Sequence, residues 1–339
     1  MTTLAVGAWL VALVAAIVLG PVRLPVEHLP ALLFDPSGRG LAAGLPGHEV
    51  VVFWELRVPR ALLATLVGAA LGLCGALSQG LFRNPLAEPG LLGVTAGAIL
   101  GTALSVVLLA PLFDLMPMWA RALAMPLFGF ATGLCATVVV WRLGRGGSRA
   151  GAVNILLAGI ALNALMGALV GLLSFVASDA ELRNLTFWTL GGLGQASWLR
   201  VGSTLPFLLL SLGIGLRFAR ELDIYALGED AARHVGVDVL RMRRYVVVAL
   251  AVGVGAAVTA AGLIGFVGLL VPHFVRLLVG PRHRSLLVLS TIFGAVLTLI
   301  ADTLARTLAP PAEVPVGLLT SLVGAPVFLH LLLRRREAT

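Results

Sequence analysis

The chain has 339 residues, of which 59% are hydrophobic and 12% charged, with a mean hydropathy of +1.02. That composition excludes an ordinary soluble domain and implies an all-α, polytopic membrane protein. All 24 basic residues are Arg, so there is no phosphate-loop or Schiff-base lysine; the +8 charge reads as loop topology and not as nucleic-acid binding.

Apolar runs long enough for a hydrocarbon core of about 30 Å number about ten. They fall near 4–20, 61–82, 90–111, 121–141, 152–176, 199–216, 245–262, 263–279, 285–305 and 314–333. The first has no basic residue ahead of it and Arg23 only behind it, which favours a retained helix over a cleaved signal peptide. Cys74 and Cys135 lie inside apolar runs and read as small buried hydrophobes, without a disulfide. The stretch Tyr245 to Leu278 would be about 50 Å long as one helix, so Gly262, Gly265 and Gly268 are expected to divide it. The forty glycines suit helices that approach closely in lipid.

With a cytoplasmic N-terminus and ten crossings, sixteen of the 24 arginines fall inside, as the positive-inside rule requires. Both termini are then cytoplasmic, in a multi-pass inner-membrane protein. Trp54, Trp119, Trp141, Trp188 and Trp198 sit near expected span ends, as interfacial anchors do.

Two stretches share the spacing G-x9-P-x7-G: Gly75, Pro85 and Gly93, then Gly262, Pro272 and Gly280. One is entered by an inward span and the other by an outward span, the pattern of an inverted internal repeat around a transport path. The apolar runs hold few ionisable groups. Asp302 and Arg306 lie at the outer end of the ninth run and Glu88 in an inner loop, away from the midplane where an ion-coupled carrier needs a titrating group. No HExxH and no Ser/His/Asp spacing supports an intramembrane enzyme. No metal site is expected.

The region 217–244 differs from the rest, with six Arg and five acids. Within it Leu227, Ala231, Ala232 and Val235 form a narrow apolar stripe at helical spacing. Gly228 and Gly236 bracket the stripe, and Glu229 and Asp230 stand where a helix dipole favours acids. On residues alone this is either a solvated loop helix or the seat of a partner that supplies nucleotide energy.

At this point the chain resembles the FecCD-type permeases, subunits of ABC importers for haem, ferric siderophores and vitamin B12. The stretches that carry the likeness include "RVPRALLATLVGAALGLCGALSQGLFRNPLAEPGLLG", "ILLAGIALNAL", "ALGEDAARHVGV", "GLIGFVGLLVPHFVRLLVGPRHR" and "ADTLARTLAPPAEVPVGLLTSLVGAPVFLHLLLR". They span most of the chain after residue 50, in the family's order. The resemblance implies one permease domain over 1–339, with the 217–244 coupling region inside it. It implies a second copy of the chain, two ATPase subunits below and a periplasmic binding protein above, all in a lipid membrane. ATP acts on the partner, the chain itself is no catalyst, and no cofactor is bound permanently.

By the same likeness Leu227, Gly228, Glu229, Ala231, Ala232 and Gly236 contact the ATPase. Arg57, Arg60 and Arg306 are implied to pair with acids of the binding protein, and Asn84 and Leu86 to lie near the cytoplasmic gate. The latter two also sit in strong turn signals, Asn-Pro and Glu-Pro-Gly. His273 fits the family pattern and reads as structural. The stretch "LRNLTFWTLGGLGQASW" is most similar to haem permeases, although its Gly-Gly is closer to the B12 type. Haem is the expected cargo, with ferric siderophore and vitamin B12 as alternatives.

Overall fold

A computed structural model describes residues 1–21, 24–35, 44–144, 151–310 and 312–337, and every regular element among them is helical. Arg23, Arg145 and Arg149 lie outside the described residues. In chain order come α1 (Thr2–Val18), the short α2 (Leu29–Phe34) and α3 (Gly47–Val51), and a π-helical turn, Val52–Arg57, that runs into α4 (Val58–Leu81). Next are α5 (Val94–Val107), α6 (Ala110–Asp114), α7 (Met118–Gly144), α8 (Gly151–Val176), α9 (Asp179–Thr189) and α10 (Trp198–Arg217). The chain closes with α11 (Ala219–Ala226), α12 (Glu229–His234), α13 (Val239–Ala261), α14 (Val267–Val279), α15 (His283–Thr307) and α16 (Val316–Glu337).

Each expected apolar run is occupied by a helix over at least part of its length: α1, α4, α5, α7, α8, α10, α13, α14, α15 and α16. Six helical stretches are long and apolar enough to cross a membrane, while α1, α5, α14 and α16 contribute shorter apolar segments. α4 is the axis of the bundle, buried from Leu63 to Leu81 except at Thr65 and Leu66. Its small residues let backbones touch: a Cβ at Gly72 would strike the carbonyl oxygen of Ser290 in α15. α8 is the opposite case, with 17% of its apolar window buried against 83% for α4 and for α13. Its Leu157, Leu172 and Phe175 face outward. That face needs lipid or another protein.

The expected break between the seventh and eighth runs is real but wider than the glycine pattern implies. α13 stops at Ala261 and α14 starts at Val267, so the helical part of the eighth run begins four residues later than expected. Gly262 takes φ +70 and Phe266 φ +65, and Gly268 lies inside α14. Thirteen residues of α14 span only about 20 Å, less than the hydrocarbon core. Non-helical backbone at such depth is tolerable only when protein satisfies it. Here the Gly192 N–H donates to the Ala261 carbonyl at 2.8 Å, and the Gly317 N–H donates to that of Gly191 at 3.2 Å.

The two stretches that share a glycine–proline spacing differ in local conformation. Gly75 lies mid-helix in α4 and Pro85 in a turn, whereas Gly262 is left-handed and Pro272 sits inside α14. They are nonetheless packed on one another. A Cβ at Gly75 would collide with the Gly268 backbone, and Gln79 Nε2 donates to the Leu269 carbonyl at 3.1 Å. Cys74 is buried as expected, but Cys135 is exposed on α7.

Candidate functional site

α10 and α13 pack side by side and are joined through α11 and α12. The α12 loop therefore lies at one end of the bundle, and the start of α10 with the end of α13 lies at the other. Twenty residues of α10 separate the two ends by about 30 Å.

The helix expected between Gly228 and Gly236 is the six-residue α12, set off from the last turn of α11 and the first turns of α13. Gly228 and Gly236 cause the division, with φ of +129 and +88 and no neighbour near a would-be Cβ. Gly236 closes α12 in a Schellman pattern: its N–H donates to the Arg233 carbonyl and that of Val237 to the Ala232 carbonyl, at 3.0 and 2.9 Å. Asp238 caps α13 by accepting from the Arg241 N–H at 2.9 Å.

The expected apolar stripe divides as well. Leu227 and Val235 are 80% and 70% exposed and Ala231 is exposed beside them, whereas Ala232 is fully buried. The expected contact role of Ala232 is thus corrected: its methyl packs inward and anchors the loop. Glu229 also turns inward, accepting from Arg233 at 2.7 Å and from Arg243 of α13. Arg243 in turn donates to the hydroxyl of the buried Tyr225 at 2.6 Å, and Arg83 lies 5.1 Å from that ring's centroid. Burial alone would raise the Glu229 carboxyl; the Arg233 and Arg243 guanidiniums outweigh it and hold it below the usual carboxylate range.

A second brace ties α11 to α15. Asp223 Oδ1 accepts from the His283 N–H at 2.7 Å and meets its Nδ1 at the same distance. Tyr225, Arg243, Asp223 and His283 escaped the sequence reading. Their partners are distant in the chain, and no local spacing announces them.

Asn84 and Leu86 stand in the turn after α4. Asn84 Oδ1 accepts from the Leu86 N–H at 3.0 Å, and Arg83 takes φ +49 to enter the turn. The loop is held to α8 by Asn163, whose Nδ2 donates to the Gly90 carbonyl at 3.3 Å. His273 is buried within α14.

At the opposite end the three arginines expected to face a binding protein are engaged within the chain. Arg57 and Arg306 are each 4% exposed. Arg57 Nη1 donates to the carbonyls of Ile17 and Val18, and Arg306 Nη2 to that of Ala16 at 2.9 Å. Both thus cap the C-terminal end of α1, where carbonyls are unsatisfied and the dipole favours a cation. In this conformation neither guanidinium faces solvent, which argues against the expected docking role of Arg57 and Arg306. Arg60 is closest to the surface of the three. It donates to buried Asp302 at 2.9 Å and to half-exposed Glu313 at 2.9 Å.

Beside Arg60 opens a cavity of about 850 Å³. Its walls are α9 with Phe187 and Trp188, the 191–195 loop, Arg200 at the start of α10, Ala260 and Ala261, and Glu313 to Val316. α9 is fixed there by a capping box: Ser178 and Glu181 exchange side-chain and backbone hydrogen bonds, and these pull the Glu181 carboxyl below its ordinary value. Trp198 Nε1 donates to the Trp54 carbonyl at 2.9 Å, and the two indoles stack with centroids 6.3 Å apart. Volume, aromatic surface and a few polar groups suit a small-molecule site.

Residues 8–334 match the FecCD transport family. The chain is 45% identical, over 84% of each sequence, to the hemin transport system permease protein HmuU of Yersinia pestis. It is 39% identical to the cobalamin import system permease protein BtuC of Halobacterium salinarum, over 88% of this chain and 77% of the relative. Among solved structures, an inward-facing ABC transporter described as of metal-chelate type aligns with a TM-score of 0.79 and 31% identity, covering 98% of this chain and all of that one.

Proposed function

The chain belongs to the FecCD transport family and is the permease of an ABC importer, and from that premise we infer that its cargo is haem. The observation that carries the choice is the 45% identity to a hemin permease against 39% to a cobalamin permease. A cavity that joins Phe187 and Trp188 to arginine side chains supports it, since haem has an apolar face and two carboxylates. Vitamin B12 is the second reading, favoured by the Gly191-Gly192 pair after α9; ferric siderophores are a third.

In this reading the α12 end is cytoplasmic, both termini lie on that side, and the cavity opens to the periplasm. Leu227, Ala231 and Val235 seat in a cleft of each of two ATPase subunits, with Gly228 and Gly236 setting the loop's shape. Ala232 and Glu229 brace it from within. Nucleotide-driven closure of the ATPases moves α12, and the Glu229–Arg243 and Asp223–His283 contacts carry that movement into α13 and α15. Asn84 and Leu86 lie on the same side, where an inner gate belongs. The exposed face of α8 meets a second copy of the chain, and a binding protein delivers cargo above Arg60 and Glu313.

Vesicles holding the permease, its ATPase and the binding protein test the whole scheme. Hemin uptake should require ATP. Uptake that persists without ATP and collapses with an ion gradient would refute it, and selective uptake of cobalamin would replace the cargo.

A further inference from the structure

Of the charged groups around the cavity, Arg200 stands apart. Arg60 is answered by Asp302 and Glu313, and Glu181 is held by Ser178. Arg200 is half-buried, and its hydrogen bonds among the described residues are neutral: Nη1 donates to the Ala260 carbonyl at 3.1 Å and Nη2 to Gln195 Oε1 at 2.7 Å. A guanidinium has five N–H donors in a planar fork; two are used in these bonds, and the residue lines the cavity. A cation withdrawn from water with no counter-ion is unfavourable, and an arriving anion relieves that cost.

The surroundings specify the kind of anion. Phe187 and Trp188 line the same cavity and offer apolar rings to a flat ligand. Gln195 belongs to the loop that walls the cavity, so a ligand group that displaces it gains the guanidinium without disturbing the bond to Ala260.

We propose that Arg200 is the recognition residue for a carboxylate of the incoming cargo, pairing with it through the guanidinium fork while α9 supplies the aromatic wall. The proposal rests on the importer reading above and names the ligand class its outer cavity accepts: a largely apolar, planar molecule with an acidic edge. A charge-assisted bond of this type contributes the equivalent of about tenfold or more in affinity.

The test uses the complete complex in vesicles, with hemin and cobalamin as probes and Arg200→Gln and Arg200→Lys as variants. Hemin uptake should fall at least about tenfold in Arg200→Gln and distinctly less in Arg200→Lys, which keeps the charge and loses the fork. Complex assembly, read as co-purification of the ATPase, should not change. A purely structural role at the Ala260 carbonyl is served by either donor, so an equal loss in both variants overturns the proposal, as does wild-type uptake in Arg200→Gln. Should Arg200→Gln not assemble, competition in the wild type decides: hemin dimethyl ester that inhibits hemin uptake as well as free hemin does sinks the idea. A wild type that imports cobalamin alone, a cargo with no carboxylate, overturns it while the permease role stands. No ATP-dependent uptake of either probe removes the importer reading and this proposal together.

Discussion

The carboxylate of Glu229 and the guanidinium of Arg243, 14 positions apart, fasten α12 to α13. Without that link the six-residue α12, bracketed by two glycines, would keep only anchors such as the buried Ala232 methyl, and a helix so short has little stability of its own. The loop is stiff because it is tied from below, and a stiff loop transmits displacement where a flexible one absorbs it.

Replacing Glu229 by Gln should therefore uncouple ATP hydrolysis from uptake by about tenfold while the ATPase still co-purifies. A variant that loses the ATPase altogether would show instead that Glu229 is a contact residue. The carboxyl is held below its ordinary value, so the brace is complete above the usual carboxylate range and is lost only as pH falls through the depressed value. Coupling measured between pH 6 and 8 should accordingly show no titration from this group.

Leu227→Asp combined with Ala231→Asp places two charges on the exposed side of the loop, where they leave the fold intact. Co-purification of the ATPase should drop at least about a hundredfold, since desolvating two unpaired carboxylates in an interface is costly. Undiminished pull-down would remove this loop as the docking surface. Ala232→Asp should fail differently, by destabilising the permease itself, because that position is fully buried.

Gly75→Val would drive a side chain into the Gly268 backbone, where no flexible group can yield. Loss of about 2–3 kcal/mol is expected from overpacking at this crossing, read as a lower midpoint of thermal unfolding in detergent. Gly7→Ala, with open space around its Cβ, is the control and should leave the midpoint unchanged.

Arg60→Ala removes one of the two guanidiniums that face Asp302, which has no solvent exposure. Destabilisation of up to about 3 kcal/mol follows from leaving a buried carboxylate short of partners. Adding Asp302→Asn should recover part of it. Arg57→Gln should leave the affinity for the binding protein as it is, because Arg57 faces α1; a large loss of affinity would restore it to the docking surface.

The helical frame was legible because each apolar run is long and bounded by Arg, Gly or Pro, and hydropathy needs no knowledge of partners. The break after α13 was visible in Gly262, yet its extent to Phe266 was not: a left-handed phenylalanine is held by the packing around it, which no local pattern encodes. Arg57, Arg60 and Arg306 could be placed at one end of the bundle from sequence. Whether an arginine there meets water, a partner or a carbonyl depends on residues such as Ala16, 290 positions away from Arg306. The same distance effect hid Tyr225, Asp223 and His283. Ala232 looked equivalent to Ala231 because a stripe counted by spacing cannot say which edge of it turns inward.

The glycine-lined wall at 191–194, facing the ends of α13 and α16, has a consequence for how cargo preference changes over time. Gly191, Gly192, Gly194, Ala260 and Ala261 present little but main chain to the cavity. At Gly191 any side chain would meet the Leu263 backbone, whereas Gly192 has open space around a would-be Cβ and Gly194 meets only the Glu313 carboxylate at 3.5 Å. Within this wall new specificities can therefore be written at 192 and 194 but not at 191, besides along α9 and at residues 313–315, where replacements alter the lining without rebuilding the fold.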